Sequence, residues 1–548
     1  MALCALYGLL LAQFIWITAS RGETGGIENS LEVVSAPSQV VRDIVRETES
    51  RMERERDPIE KSFLSQLAGH YREPDARSHW ISGKELNGAA QSLIEELRTA
   101  DRFGLDPTDL VPPTLDTGTL PLASAEIDLS MAAIRYAWHA RGGRFDPSQL
   151  SGWIEVEPRS LYVSEVFRAI QETGGDPVAG LRRFHPQHPQ FEQLRQAYLK
   201  ERAVAEAEGV RRKGDRAKLQ TFLINLERWR TMPPELGNLY VWNNLPEFVM
   251  RLVEAGDVVH SERIIIGKRS TQTPVFSDTM THLIVNPEWG VPESIKIRTL
   301  LPSLRRGDTG VLARRGMSIR DGDKIIDPKR YRWSKVDIRN VPIVQGAGPT
   351  NPLGQIKFMF PNHHDVYMHD TPDKALFHKS ERAFSAGCIR VRNPDVLAQQ
   401  ILDRVQGWSV EQTQAELASQ STDRIDLQIP LPVHNTYFTA WADPNGDVLI
   451  YPDIYGHDAR YRDALSGKPL AEIASRDPAL ALKKKNDELR KTAGYAPAAA
   501  KSSGASPLSF FELVGLSFAT PETNKKTTAR KVTKPKQSTQ PPSALWFQ

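Results

Sequence analysis

The chain has 548 residues, of which 40% are hydrophobic and 25% are charged, and 70 Lys and Arg against 67 Asp and Glu give a formal net charge of +3. This length is sufficient for several domains with sizeable cores, and the composition excludes a fully disordered, collagen-like or polytopic membrane protein. Two cysteines, Cys4 and Cys388, are too few for a small disulfide scaffold.

The first 20 residues have the composition of an export signal. Residues 2–20 carry no charged side chain and are rich in Leu, Ile, Ala, Phe and Trp, and they end in the small residues that signal peptidase requires. Because no Lys or Arg precedes this stretch, an uncleaved anchor, a misassigned start and a buried helix stay open beside a cleaved signal peptide over 1–20. We expect an exported protein, which keeps Cys388 as its single cysteine if the signal is removed.

Helical patterns dominate the region that follows. The polar residues 21–60 are expected to form a linker, with a solvated helix within it as the alternative. Apolar side chains then repeat at helical spacing over 90–100 and 129–140, and residues 191–230 form a long charged stretch with few helix breakers. We therefore predict a helical scaffold domain over 61–230.

Short β-rich runs separated by Gly, Pro, Asn and Asp begin after residue 230 and predict a mainly β domain over 231–435. Within it, the highly charged residues 295–342 predict an insertion or flap between strands. A shorter extension over 436–483 precedes residues 484–548, whose Ala-, Lys-, Ser- and Pro-rich composition predicts disorder. The fold class expected from these elements is α+β.

The positive charge of the chain is concentrated in its C-terminal tail. Residues 501–548 hold seven basic and two acidic residues. These charges are not interleaved with aromatic side chains, so we predict no nucleic-acid partner. The apolar patch at 510–518 has no role that the sequence explains.

The residues around Cys388 suggest nucleophilic chemistry. A free thiol with a pKa of about 8.5 is only a few per cent thiolate at neutral pH, so a nucleophilic cysteine needs a nearby base or positive charge. His369 lies on a separate β-like run from which it could reach Cys388. The backbone N–H groups of Gly387 and Cys388 could face an oxyanion, and Arg390 shares a strand face with Cys388, within reach of a substrate carboxylate.

Two other kinds of site compete with this interpretation. The segment holds most of the usual zinc ligand types, but the sequence contains neither an HExxH motif nor a CxxC pair. The residues that could take part in such a site are His363, His364, Asp365, His369, Asp370 and Cys388. A Ser–His–Asp hydrolase is weaker still because no G-x-S-x-G motif is present.

The segments His369-Asp-Thr-Pro and Arg382-Ala-Phe-Ser-Ala-Gly-Cys-Ile-Arg-Val resemble the active-site signature of the L,D-transpeptidases, in particular the large periplasmic branch of Gram-negative bacteria. Blocks at four further places are similar to that branch and occur in the same order. They lie at 225–233, 267–278, 353–362 and 432–441. Together the resemblance covers roughly residues 70–470.

The resemblance implies a periplasmic cysteine transpeptidase that acts on peptidoglycan tetrapeptide stems, as donor and as acceptor, without a cofactor or a metal. In the family, a thioester forms as the terminal D-Ala leaves, and a diaminopimelate side-chain amine resolves it into a diaminopimelate–diaminopimelate crosslink. The family is acylated by carbapenems. Water, a free D-amino acid or an outer-membrane protein stays open as the acceptor, and so does a non-catalytic wall-binding protein with this fold. The inner membrane would be a partner only if the N-terminal segment is uncleaved.

Carried over by position, the resemblance implies a role for each motif residue. Cys388 is the nucleophile, His369 is the base, and the backbone of Gly387 and Cys388 supplies oxyanion donors. Arg390 anchors a substrate carboxylate, and Tyr367 is a wall of the site or an oxyanion partner.

Ser385 and Asn362 are further substrate-binding candidates from the same blocks. Asp370 is expected to be structural because adjacent strand residues face opposite ways, which leaves a backbone carbonyl to orient His369. His363 and His364 are expected to be loop or core residues.

The chain departs from the family pattern in two places. Many members carry a His where this chain has Ala386, so His369 must act without that relay. The small peptidoglycan-binding module expected before residue 225 has no counterpart, and we predict that it is missing. The insertion at 295–342 fits the place of a lid that excludes water from the thioester.

Overall fold

The computed structural model describes residues 38–481, except for 114–120, 157–158, 208–212, 323, 420 and 444–446. The predicted export signal, Cys4 and the tail over 484–548 lie outside the described residues. Within the described part of the chain, no helix combines the length and the apolar character needed to cross a membrane.

The N-terminal part is a helical scaffold with one small β-hairpin. Its helices are α1 (Gln39–Arg54), α2 (Pro58–Tyr71), α3 (Gly88–Arg98), α4 (Pro107–Leu110), α5 (Leu122–Ala140), α6 (Val163–Glu172), α7 (Pro177–Arg182), α8 (Pro189–Ala207) and α9 (Lys213–Arg230), and its hairpin pairs β1 (Ile81–Ser82) with β2 (Glu85–Leu86). Side chains of Ser38, Asp57 and Asn87 accept hydrogen bonds from the first turns of α1, α2 and α3, which stabilises those helix starts.

The scaffold begins earlier than the sequence predicted. Helix α1 occupies most of the expected linker over 21–60, and its Val41 and Ile44 are buried in the scaffold core. The linker assignment is therefore wrong for residues 39–54. Apolar residues three apart place one face of an otherwise charged helix against its neighbours, so a mainly polar composition still forms a packed element.

The long helix expected over 191–230 is divided into α8 and α9, which pack against each other. Their apolar side chains, among them Phe191 and Trp229, join a cluster with Trp242 and Phe438 from the domain that follows. This cluster fixes the scaffold to the β domain.

The β domain is built on one mixed sheet. Its strands are β3 (Leu239–Asn244), β4 (Val249–Glu254), β5 (Asp257–Gly267), β6 (Phe276–Val285), β11 (Ile356–Met359), β12 (Met368–His369), β13 (Ala383–Ser385), β14 (Ile389–Val391) and β15 (Asp423–Thr436), and the helices after β14 are α13 (Pro394–Gln406) and α14 (Val410–Ala418). The strand order is β13-β5-β14-β12-β11-β6-β15-β3-β4, and β4 also pairs with β5, so the sheet closes on itself around a core of Val, Ile, Leu, Met and Phe side chains.

The predicted insertion is a compact lobe with its own sheet and core. It contains β7 (Trp289–Gly290), α10 (Glu293–Ile295), α11 (Leu301–Arg305), α12 (Gly310–Arg314), β8 (Met317–Asp321), β9 (Lys324–Ile326) and β10 (Ile343–Gln345). Because β7 pairs with β10, the lobe is closed at its base by residues just outside the predicted 295–342. Its hydrophobic core includes Tyr367 and Cys388 from the main sheet.

The C-terminal extension packs back onto the scaffold. It consists of β16 (Ala440–Ala442), β17 (Val448–Ile450), α15 (His457–Leu465) and α16 (Leu470–Ser475). The buried Asp458 of α15 forms an ion pair of 2.7 Å with the buried Arg228 of α9. The helical scaffold followed by a mainly β domain confirms the α+β class.

Candidate active site

Three neighbouring strands place the candidate catalytic side chains on one face of the sheet. His369 of β12 is opposite Arg390 of the parallel strand β14 and opposite Lys357 of the antiparallel strand β11. Two residues before His369, the Tyr367 carbonyl accepts the backbone N–H of Ile389, which follows Cys388, at 3.0 Å. Side chains alternate along a strand and opposed residues share a face, so these five residues form one mostly buried patch at the foot of the insertion.

Cys388 is a buried free thiol at the centre of this patch. It is 4% exposed, and its Sγ lies 3.8 Å from the carbonyl oxygen of Asp365. Burial raises the pKa of the thiol, whereas hydrogen bonding to Tyr367 and the positive charges of Lys357 and Arg390 lower it. The resting sulfur is therefore a protonated thiol held in a positive environment.

His369 is equally buried, and no carboxylate among the described residues contacts its ring. It is 1% exposed, its ring lies 5.6 Å from the Tyr367 ring, and the backbone of Leu353 and Asp370 contacts the imidazole. Burial first, and then the charge of Arg390, lower the pKa of His369 to about 3. At neutral pH the imidazole is uncharged and can accept a proton.

The Asp370 carboxylate contacts groups other than the His369 imidazole. Its carboxylate accepts hydrogen bonds from the backbone of Gln355 at 2.9 Å and Thr371 at 2.6 Å, and from the Lys374 ammonium at 2.6 Å. These contacts fix the turn after β12, and the side chain thus serves the loop rather than a catalytic triad.

The Gly387 N–H, which was predicted to be an oxyanion donor, is engaged in the turn before Cys388. That N–H donates to the Ser385 hydroxyl at 3.1 Å, the hydroxyl in turn donates to the Cys388 carbonyl at 2.6 Å, and Thr273 donates to the Gly387 carbonyl at 2.6 Å. Gly387 has φ +137°, which side-chain-bearing residues rarely adopt, so glycine is needed here for its backbone conformation. The Cys388 N–H, by contrast, donates to no other described residue.

Ser385 and Asn362, the further substrate-binding candidates, form hydrogen bonds with the backbone of their own segments. The Ser385 hydroxyl closes the turn before Cys388. The Asn362 amide donates to the carbonyls of Phe360 at 2.6 Å and Val366 at 2.7 Å, and its oxygen accepts the His364 N–H at 3.0 Å. Both residues shape the loops that carry the site.

Arg390 lies at the edge of the patch, where its guanidinium meets the Asp373 carboxylate at 3.2 Å. The aspartate side chain is largely exposed, so this ion pair is open to solvent. Ala386 is exposed beside the site and supplies no proton relay.

Lys357 is a part of the site that sequence reasoning missed. It is 1% exposed in the middle of β11, and its Nζ lies 3.9 Å from the centre of the Tyr367 ring. Burial lowers the pKa of Lys357 to about 7, against the opposing effects of Cys388 and Asp365. A lysine inside the otherwise apolar run Ile356–Met359 was the available signal, because lysine is rarely buried without a function.

Two segments of the chain match known domain families. Residues 65–197 match the model of a scaffold domain, and residues 238–409 match the model of the L,D-transpeptidase catalytic domain. The second match contains the whole patch described above.

A protein of Haemophilus influenzae, described as a candidate L,D-transpeptidase, is 33% identical over 240 residues, which cover 44% of this chain and 48% of the relative. The match thus spans about half the length of that relative. Together with the catalytic-domain match over 238–409, it shows that the β domain of this chain is similar to the L,D-transpeptidases.

Proposed function

We propose that this protein is a periplasmic peptidoglycan L,D-transpeptidase that forms diaminopimelate–diaminopimelate crosslinks through a thioester on Cys388. The observation that carries the proposal is the shared strand face of Cys388, His369 and Arg390, where a buried thiol, an uncharged imidazole and a cation meet. Acyl transfer needs a nucleophile, a base and an anchor for a carboxylate, and these groups provide them.

In the first step, the thiol proton moves to His369 while the Cys388 sulfur attacks the carbonyl at the L-centre of diaminopimelate in a tetrapeptide stem. The carbon–nitrogen bond to D-Ala then breaks, and His369 returns the proton to the leaving amine. The Cys388 N–H and the Tyr367 hydroxyl are the donors we assign to the tetrahedral oxyanion. Arg390 exchanges Asp373 for a carboxylate of the stem.

In the second step, the side-chain amine of another diaminopimelate attacks the thioester. The amine loses a proton to His369, the carbon–sulfur bond breaks, and the thiol of Cys388 is restored. Because Cys388 belongs to the hydrophobic core of the insertion, this lobe limits access of water and favours the amine acceptor.

The test incubates the full chain and its Cys388→Ala variant with disaccharide-tetrapeptide and reads the products by mass spectrometry. We expect a crosslinked dimer that has lost one D-Ala, formed only by the unsubstituted protein. Formation of tripeptide alone would indicate that the Cys388 thioester forms and that water is its acceptor. Exchange of the terminal D-Ala for an added D-amino acid would instead identify that amino acid as the acceptor.

A carbapenem provides an independent readout of the nucleophile. We expect one adduct per chain, located on the peptide that contains Cys388 and absent from Cys388→Ala. A protein that forms neither adduct nor Cys388-dependent product contradicts the proposed activity and leaves a wall-binding function with the same fold.

A further inference from the structure

A cluster of three metal-ligating side chains lies outside the catalytic patch. Glu155 comes from the segment after the scaffold helix α5, and His363 and His364 come from the loop after β11. The Nε2 atoms of both imidazoles approach the same carboxylate oxygen of Glu155, that of His363 at 2.5 Å. One ligand atom from each residue lies within 4.8 Å of the others.

The backbone holds Glu155 in place. The Glu155 N–H donates to the Val275 carbonyl at 2.9 Å, and Ile154 forms a parallel bridge with Val275 at the start of β6. This short pairing fastens the residue to the β domain, although it is more than 200 positions away from the histidines in the chain.

The two histidines are also pre-positioned. Asn362 accepts the His364 N–H, and the His364 ring packs 5.2 Å from Phe276. The His364 side chain is 6% exposed, whereas that of His363 is 57% exposed. One side of the cluster is therefore built into the protein, and the other is open to solvent.

The geometry points to a binding site for a divalent transition metal: we propose that Glu155, His363 and His364 coordinate zinc or a cation of similar ligand preference. Imidazole nitrogen and carboxylate oxygen are common zinc ligands, and a two-histidine, one-carboxylate set leaves a further position for water. Both imidazoles contact the Glu155 carboxylate directly, and a bound cation would take the place of these contacts between the same three side chains.

The sequence predicted no metal and weighed these histidines only with Asp365, His369, Asp370 and Cys388. Glu155 enters the set through folding alone.

From its place in the fold, we assign the cluster the role of positioning the loop next to Cys388. The next residue after His364 is Asp365, whose carbonyl contacts the Cys388 thiol. A metal held by Glu155 and both imidazoles therefore ties the scaffold segment to the loop against the thiol, and its removal should loosen that loop. This inference goes beyond the proposed reaction and does not depend on it.

The experiment titrates zinc into the full chain by calorimetry after chelator treatment, in a Cys388→Ala background so that the catalytic thiol binds none. We expect one equivalent with a dissociation constant in the micromolar range or tighter. Substituting His364→Gln or Glu155→Gln should weaken binding at least tenfold. Cobalt should give the same stoichiometry, with visible absorption that reports imidazole coordination.

The matched control is His378→Gln, which removes an exposed histidine elsewhere in the same domain and should leave binding unchanged. His363→Gln alters the most exposed ligand and separates lost coordination from lost folding, which circular dichroism checks. Absence of saturable binding, or binding that survives both His363→Gln and His364→Gln, overturns the proposal. Transpeptidase activity is not used as a readout, so failure of the proposed reaction would not affect this result.

Discussion

Two regions of the molecule bury polar groups in opposite ways. In the scaffold, the fully buried Glu126 of α5 accepts hydrogen bonds from the hydroxyls of Tyr71 and Ser78 and from the backbone of His79 and Trp80, at 2.5–3.0 Å. Each oxygen has two donors, so the carboxylate organises the segment before β1 around itself.

The catalytic patch is buried to the same degree, but here burial acts on the titratable groups by favouring their uncharged forms. Cys388, His369 and Lys357 share one face, and burial shifts the pKa of each group towards its uncharged form. A charge with a complete set of hydrogen bonds stabilises a fold, whereas desolvated groups held in their uncharged forms are available to accept or release protons in a reaction. The comparison predicts that substitutions will affect stability in the scaffold and reactivity in the patch.

The largest effect is expected for His369→Asn. Loss of the general base should lower the rate of thioester formation by about 10²–10⁴-fold with little change in stability. Acylation by a carbapenem, followed by mass spectrometry, measures this rate. Asp370→Asn is the matched control, because its carboxylate contacts the loop rather than the imidazole, and an equal loss there would instead indicate a catalytic triad.

Glu126→Ala should destabilise the protein without changing the chemistry of Cys388. It removes the acceptor of four hydrogen bonds, two of them from the buried Tyr71 and Trp80, and we expect a loss of about 3 kcal/mol in the free energy of unfolding. Denaturant titration measures it, and Glu126→Gln, which keeps two acceptor lone pairs, should lose less. A loss below about 1 kcal/mol for the alanine variant would mean that the cluster does not organise the scaffold.

Acid should destabilise the patch through His369. Its folded pKa of about 3 lies below the ordinary value of 6.5, so its contribution to stability is present above pH 6.5 and is lost as the pH falls towards 3. At pH 5 the loss is about 2 kcal/mol relative to neutral pH. The His369→Gln variant should lack this part of the pH dependence, and identical pH profiles for the two proteins would contradict the shift.

The smallest effect is expected for Lys357→Met. Removing the positive charge that lowers the pKa of Cys388 should raise that pKa and slow alkylation by iodoacetamide near neutral pH by up to about tenfold. The pH profile of alkylation separates this electrostatic effect from a structural one. Lys379→Met, at an exposed position of the same domain, is the control and should leave the profile unchanged.

Local patterns allowed much of the fold to be predicted. The apolar stripes over 90–100 and 129–140 coincide with α3 and the second half of α5, because a helix face is set by neighbours three or four residues apart. The linker prediction was wrong for α1 because this helix is mostly charged. Only packing against its neighbours shows that Val41 and Ile44 face a core.

The candidate site was likewise predictable only where it depends on local patterns. Cys388 and Arg390 share a face because strand alternation is local. The Gly387 N–H could not be judged in this way, since its direction depends on the turn that Ser385 closes. Lys357 enters the patch only through pairing of β11 with β12.

By itself, the sequence determined the family signature, the order of helical and β regions, and the chemistry available at Cys388 and His369. These depend on residue types and on spacings of a few positions. Only the tertiary structure decided which groups are desolvated together, that the insertion shares its core with Cys388, and that Glu155 meets His363 and His364. Burial and strand pairing join residues far apart in the chain, and no local pattern specifies those partners.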